Sequence, residues 1–155
     1  MDTVIDSNML RLVRIFDAPR ERVFAAWAER EQFVQWMCPP GVMIDECVID
    51  VRPGGAWRIK GRHGEDDRVF ASSGKYIEIE KPARLVFTWA HHADGDYEKP
   101  RGHETTVRIE LRAVGGKTEL TLIHGPFLDT PSFDAHKNGW TGSFDKLAAF
   151  LARAV

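Results

Sequence analysis

Residues 105–154 read TTVRIELRAVGGKTELTLIHGPFLDTPSFDAHKNGWTGSFDKLAAFLARA. Val107, Ile109 and Leu111 alternate with Arg108, Glu110 and Arg112. A period of two with one apolar and one charged side describes a strand with one buried and one wet face. Gly115-Gly116 supplies a tight hairpin turn. The chain returns through Thr118 to His124, with Leu120, Leu122 and His124 on one face. Gly125 to Pro131 connects. From Ser132 to about Ala154 the period becomes helical, with Phe133, Trp140, Phe144, Leu147 and Leu151 at spacings of 7, 4, 3 and 4. At 1.5 Å per residue, roughly 22 residues span about 33 Å. A sheet with one apolar face needs a cover, and this helix is the only element long enough to provide it.

Working outward, the same alternation recurs upstream. Leu85, Phe87, Trp89 and His91 alternate with Val86, Thr88, Ala90 and His92. Val69 to Glu80 is a strand with an expected bulge at Ser72-Ser73-Gly74, and Ala56 to His63 carries Trp57 and Ile59 on one face. Met43 to Val51 is the first of this run of six strands, followed by the Arg52-Pro53-Gly54-Gly55 turn. Short turns between consecutive strands predict an antiparallel meander. Ala93 to Gly102 is the most polar stretch and reads as an exposed loop. At the N-terminal end, Leu10 to Phe16 forms a further strand. Asp17 is expected as an N-cap and Pro19 in the first turn of a helix bearing Val23, Phe24, Trp27 and Ala28. Phe33, Trp36 and Met37 mark a second short helix, stopped by Pro39-Pro40-Gly41. The fold class is therefore α+β: a curved, six- to seven-stranded antiparallel sheet around a long C-terminal helix, with two short helices after the first strand.

Composition excludes some functions. With 155 residues the chain has the size of one domain. Lys and Arg number 21 and Asp and Glu 23, a net charge of -2, so neither nucleic acid nor an anionic membrane is an expected partner. No apolar run approaches the roughly 20 residues that cross a bilayer. Met1 to Leu10 lacks the layout of a signal peptide, so a cytoplasmic location is expected. Cys38 and Cys47 fit no metal spacing and read as two reduced thiols.

Several short motifs, taken together and in order, carry a resemblance. They are Phe16-Asp17-Ala18-Pro19 leading into Val23-Phe24 and Trp27, then Phe33 and Trp36, Asp50-Val51-Arg52-Pro53-Gly54-Gly55 with Trp57-Arg58, and Gly74-Lys75-Tyr76. Leu85-Val86-Phe87-Thr88-Trp89, Thr118-Glu119-Leu120-Thr121-Leu122 with His124, and Gly139-Trp140 with Leu147 complete them. On these residues the chain resembles the START-like (SRPBCC, helix-grip) superfamily, and within it the homologues of the heat-shock protein 90 ATPase activator. The resemblance covers about residues 9–152 and implies a single START-like domain over 1–155. It also implies a cavity between sheet and helix, and relatives that pair as homodimers.

The expected function is binding of a small hydrophobic or aromatic molecule in that cavity. Two alternatives stay open: an enzyme of cyclase, dehydratase or hydrolase type using a His as acid or base, and a chaperone-linked or regulatory protein-interaction domain. Candidate cavity residues are Trp36, Trp57, Phe87, Trp89, His91, Leu122, His124, Trp140 and Phe144. Aromatics serve cores and pockets alike, and His91 and His124, placed on the inner face, suit a polar contact or proton transfer at neutral pH. Gly139 and Gly142 in mid-helix imply close packing on the sheet or room for a ligand beside Trp140. His91, His92, His103 and Glu104 flank one loop as a metal alternative, but neighbouring His91 and His92 point to opposite faces and no HxH or HExxH pattern is present. No metal and no cofactor are expected. No nucleophile elbow, P-loop or dinucleotide fingerprint occurs, so no catalytic residue is assigned.

Overall fold

The computed structural model describes residues 8–153. The polar start of the chain at residues 1–7 and the end of the last helix at residue 154 lie outside the described residues. Strand β1 (Leu10–Phe16) precedes helices α1 (Arg20–Ala28) and α2 (Arg30–Trp36). Six strands follow: β2 (Val42–Ile49), β3 (Ala56–His63), β4 (Val69–Glu80), β5 (Arg84–His91), β6 (Thr105–Val114) and β7 (Lys117–Gly125). Helix α3 (Thr130–Arg153) closes the chain. The strands form one antiparallel sheet in the order β1-β7-β6-β5-β4-β3-β2. The meander is thus continuous, and β1 docks beside β7 as the added edge.

Alternation sets the inner face. Val107, Ile109 and Leu111 of β6 and Leu120 and Leu122 of β7 are buried, while Arg108 and Glu110 stay on the wet face. There Glu110 accepts from Arg108 and forms an ion pair with Arg84, which donates to Glu78. Arg14 follows Leu12 onto the inner side of β1 and reaches Asp145 of α3 at 2.7 Å, tying strand to helix at the sheet edge.

The core is aromatic. The ring of Trp27 from α1 meets Trp36, Trp140, Phe144 and Phe87 at centroid separations of 4.7, 5.8, 6.3 and 6.4 Å. One side chain therefore joins α1, α2, α3 and β5. Trp36 donates its indole N–H to the Ala26 carbonyl at 2.9 Å, and Trp57 donates to the Thr88 carbonyl at 3.0 Å. Gly74 lies between Trp57 and Thr88, where any Cβ would strike the Thr88 carbonyl oxygen.

Two local expectations are corrected. The bulge in β4 falls between Tyr76 and Glu78, opposite β5, and not at Ser72-Ser73-Gly74, which pair regularly with β3. Helix α1 has Pro19, not Asp17, at its cap position. The ring of Pro19 holds φ at -72° in extended geometry, and its carbonyl accepts from Arg22 and Val23 at 3.0 and 3.1 Å.

The two helix glycines part company. A Cβ at Gly142 would lie 2.8 Å from Pro39 Cβ and 3.1 Å from Pro40 Cδ, so this glycine seats α3 on the connector after α2 and not on the sheet. A Cβ at Gly139 would find no atom within 4 Å. Gly142→Ala is expected to lose about 1–2 kcal/mol, because rigid proline rings oppose the helix-propensity gain. A lowered urea midpoint at unchanged m-value is the expected readout.

Candidate functional site

Helix α3 crosses the inner face but does not touch all of it. Between its first half and the ends of β3, β4 and β5 lies a pocket of about 250 Å³. Met37, Pro39 and Val42 form one wall, Phe70 and Trp89 the sheet side, and Gly139 and Trp140 the helix side. No Lys, Arg, Asp or Glu lines it among the described residues. Its polar groups include Ser72, His91 and His136. A smaller recess of about 170 Å³, lined by Phe127, Leu128 and Ser132, shares Trp89, His91 and His136 with it. The histidine pair therefore borders both spaces.

Among the residues anticipated as cavity lining, Trp89, His91 and Trp140 line the pocket. Trp36, Trp57, Phe87, Leu122, His124 and Phe144 do not; they are buried in the core behind it. His136 was not anticipated. It sits between Phe133 and Trp140 in the apolar stripe of α3, and that spacing is the signal that could have found it.

The two inner histidines have different environments. His124 has no exposed surface. Trp140 donates its indole N–H to His124 Nδ1 at 3.0 Å, so that nitrogen carries no proton. His124 Nε2 then donates to Thr105 Oγ1 at 2.7 Å, and Thr105 donates to the Trp89 carbonyl at 3.2 Å. Every polar atom is engaged, and a second proton on His124 would break the Trp140 bond. Burial, reinforced by His136 and His91, holds His124 well below the usual histidine range.

His91 and His136 form a second, more open arrangement. Their Nε2 atoms face each other at 3.0 Å. His136 Nδ1 lies 2.8 Å from the Ser132 carbonyl, which can only accept, so His136 carries its proton there. Neutral His136 therefore presents a bare Nε2 toward His91 Nε2. The same His91 nitrogen accepts from the Trp89 indole N–H at 3.4 Å. His91 Nδ1 shares a hydrogen bond with Ser72 Oγ at 2.8 Å. Ser72, His91, His136 and Ser132 thus form one polar chain from sheet to helix. Phe127 stacks on the His136 ring at 4.7 Å. Burial, with the neighbouring His136 and His92, lowers His91 to about 4, although water reaches its exposed outer edge and tempers the effect. Burial likewise lowers His136, against a raising contribution from the Ser132 carbonyl.

His92 points the other way, as alternation requires: Nδ1–H donates to the Lys99 carbonyl at 3.0 Å, and Nε2 meets Ser73 Oγ at 2.7 Å. His103 donates to the Pro126 carbonyl at 2.7 Å, and Glu104 pairs with Arg101 at 2.8 Å. The four residues weighed as a metal set are thus drawn to separate partners. No group of three His, Cys, Asp or Glu side chains is placed to hold a metal among the described residues. Cys38 lines the pocket and Cys47 lies in the core, both as free thiols. Burial raises them to about 12 and about 11, so both are poor nucleophiles. No helix among the described residues is long and apolar enough to cross a membrane.

A curved antiparallel sheet gripping a C-terminal helix, with a pocket between them, defines a START-like, helix-grip protein. The chain belongs to the Activator of Hsp90 ATPase homolog 1-like family, whose model matches residues 17–152. It is similar to the AHSA1 protein of Silicibacter pomeroyi, at 32% identity over 93% of this chain and 97% of that one, with a TM-score of 0.82. A protein of Rhizobium leguminosarum shares 26% identity over 94% and 95%, TM-score 0.74. A Chromobacterium violaceum protein, at 24% identity over 96% and 99% with a TM-score of 0.83, supports the fold alone. No curated protein matches.

His91, His124 and His136 make stability depend on pH. Each is neutral in the fold and charges more readily in the unfolded chain, near pH 6.5. Between there and about 4, the value for His91, the unfolded state binds more protons, so stability falls as pH falls. The melting temperature is expected to drop across that window, and less steeply in a His91→Phe, His136→Phe double variant. His124→Leu is expected to cost about 2–3 kcal/mol by stranding the Trp140 N–H and Thr105, read as a shift of the urea midpoint.

Proposed function

We propose that this protein binds a small hydrophobic or aromatic molecule in the pocket between α3 and the sheet. The observation that carries this reading is the space beside Gly139. An apolar pocket walled by Phe70, Trp89 and Trp140 persists there because the helix has no side chain at that position. A packed protein interior leaves few such voids, and apolar pockets with a few polar groups are the usual form of small-molecule sites. Membership of a family that generally binds hydrophobic ligands supports the same reading.

The His91–His136 pair supports a second reading, acid–base chemistry on the bound molecule, because it lines the pocket and links two titratable rings. A bell-shaped pH dependence of turnover that disappears in His136→Phe is its expected signature.

Native mass spectrometry of the purified protein, followed by denaturing extraction, tests the binding reading directly. A stoichiometric small molecule is the expected result. Gly139→Leu provides the control: the leucine fills the space, so the bound species is expected to vanish. The melting temperature should hold or rise, because Gly in a helix interior costs about 1 kcal/mol relative to Ala and Leu ranks close to Ala. A Gly139→Leu protein that retains its ligand would place the site elsewhere.

A further inference from the structure

The wall of the pocket narrows the class of molecule it can hold. Resting on the binding reading above, we infer that the guest is an uncharged aromatic ring system of about two fused rings, held chiefly by ring-to-ring contact.

Charge is excluded first. No Lys, Arg, Asp or Glu lines the pocket among the described residues. Burial keeps His91 and His136 below the usual histidine range, so both are uncharged at neutral and basic pH. A carboxylate or an ammonium would enter without a counter-charge, and an unpaired ion in an apolar space is among the costliest of burials. Most polar groups of the wall are also committed to partners within the protein. Ser72, His91, His136 and the Ser132 carbonyl are joined in a chain at 2.8, 3.0 and 2.8 Å. The Trp89 indole N–H is directed to His91 and that of Trp140 to His124. A strongly polar guest would be satisfied there only by breaking such a bond and stranding a buried group. The other polar side chains, His63 and Ser143, come from β3 and α3, and the His63 ring packs against Phe70 at 6.0 Å.

The rings select an aromatic guest. Trp89 and Trp140 meet at 5.7 Å with their planes 60° apart. A flat guest lying on one of them therefore presents its edge toward the other. Stacked and edge-on contacts are the two arrangements that ring quadrupoles favour. Phe70 adds a third ring on the sheet side, and Gly139 leaves the helix side open. Volume sets the size. An apolar cavity of about 150 Å³ takes one benzene ring. In proportion, the space of about 250 Å³ takes about ten non-hydrogen atoms, one fused bicycle.

Equilibrium dialysis at pH 8 tests the assignment with naphthalene, cis-decalin, pyrene, 2-naphthoate and 2-naphthylmethylammonium. Both ions are expected to bind at least about a hundredfold more weakly than naphthalene. The three neutral probes are compared after division by their octanol partition, which removes hydrophobicity itself. On that scale naphthalene is expected at least about fivefold above decalin, and at least about tenfold above pyrene, which overfills the space. Phe70→Leu is expected to lower the ratio of naphthalene to decalin, with Trp89→Leu as the second variant should the first fail to fold. Equal scaled affinity of naphthalene and decalin overturns the aromatic assignment and leaves the pocket reading intact, as does a ratio unchanged in both variants. An ion that binds as tightly as naphthalene overturns the exclusion of charge, and pyrene at the level of naphthalene overturns the size. A molecule extracted from the native protein that is charged or lacks an aromatic ring overturns the inference while upholding the pocket. Failure of all five probes, together with an unliganded native mass, overturns the pocket reading itself.

Discussion

The hydrogen bond from the Trp140 indole to His124 is the contact on which the rest of this structure turns. It is the polar link between the middle of α3 and the middle of the sheet, in a region otherwise held by apolar packing. On its inner side Trp140 packs against Trp27 and Phe144, the aromatic cluster that gathers both short helices onto the core. On its outer side the same indole forms the pocket wall. The bond fixes the rotation of the helix about its own axis. It thereby decides which residues of α3 face the sheet tightly and which stand off from it. Gly139 and His136 are on the pocket side as a result.

Two histidines on one face thus have opposite fates through what surrounds them. His124 has a donor-only partner on one nitrogen and a hydroxyl on the other, with no water in reach, so it acts as a neutral spacer that keeps a buried tryptophan satisfied. His91 lies at the end of its strand, where the sheet stops and the pocket begins, and its partner His136 comes from the helix. Its hydrogen bonds join sheet to helix at the border of the pocket.

Most of the fold was legible in the sequence because one face of the sheet is wet. Arg108 and Glu110 between Val107, Ile109 and Leu111 leave little choice of register, and Phe144, Leu147 and Leu151 leave little choice of helix face. The bulge in β4 was misplaced because Ser-Ser-Gly looks irregular locally, whereas the true irregularity at Tyr76–Glu78 is imposed by pairing with β5. The site was legible only in part. Trp89, His91 and Trp140 follow from alternation and spacing, but most candidate aromatics are core. Whether a tryptophan packs or lines a cavity depends on where the helix stands off from the sheet, which no local pattern records. The His91–His136 pair joins residues 45 positions apart and exists only once the helix is docked.

The contrast between the two glycines of α3 bears on how such a protein can change over time. Position 142 is pinned by proline rings, which any side chain there must displace. Position 139 faces open space, where a Cβ meets no atom within 4 Å. Under the proposed binding function, the room for a guest is thus tuned at one backbone site outside the core. Substitution there changes that room in discrete steps while the scaffold stays as inherited.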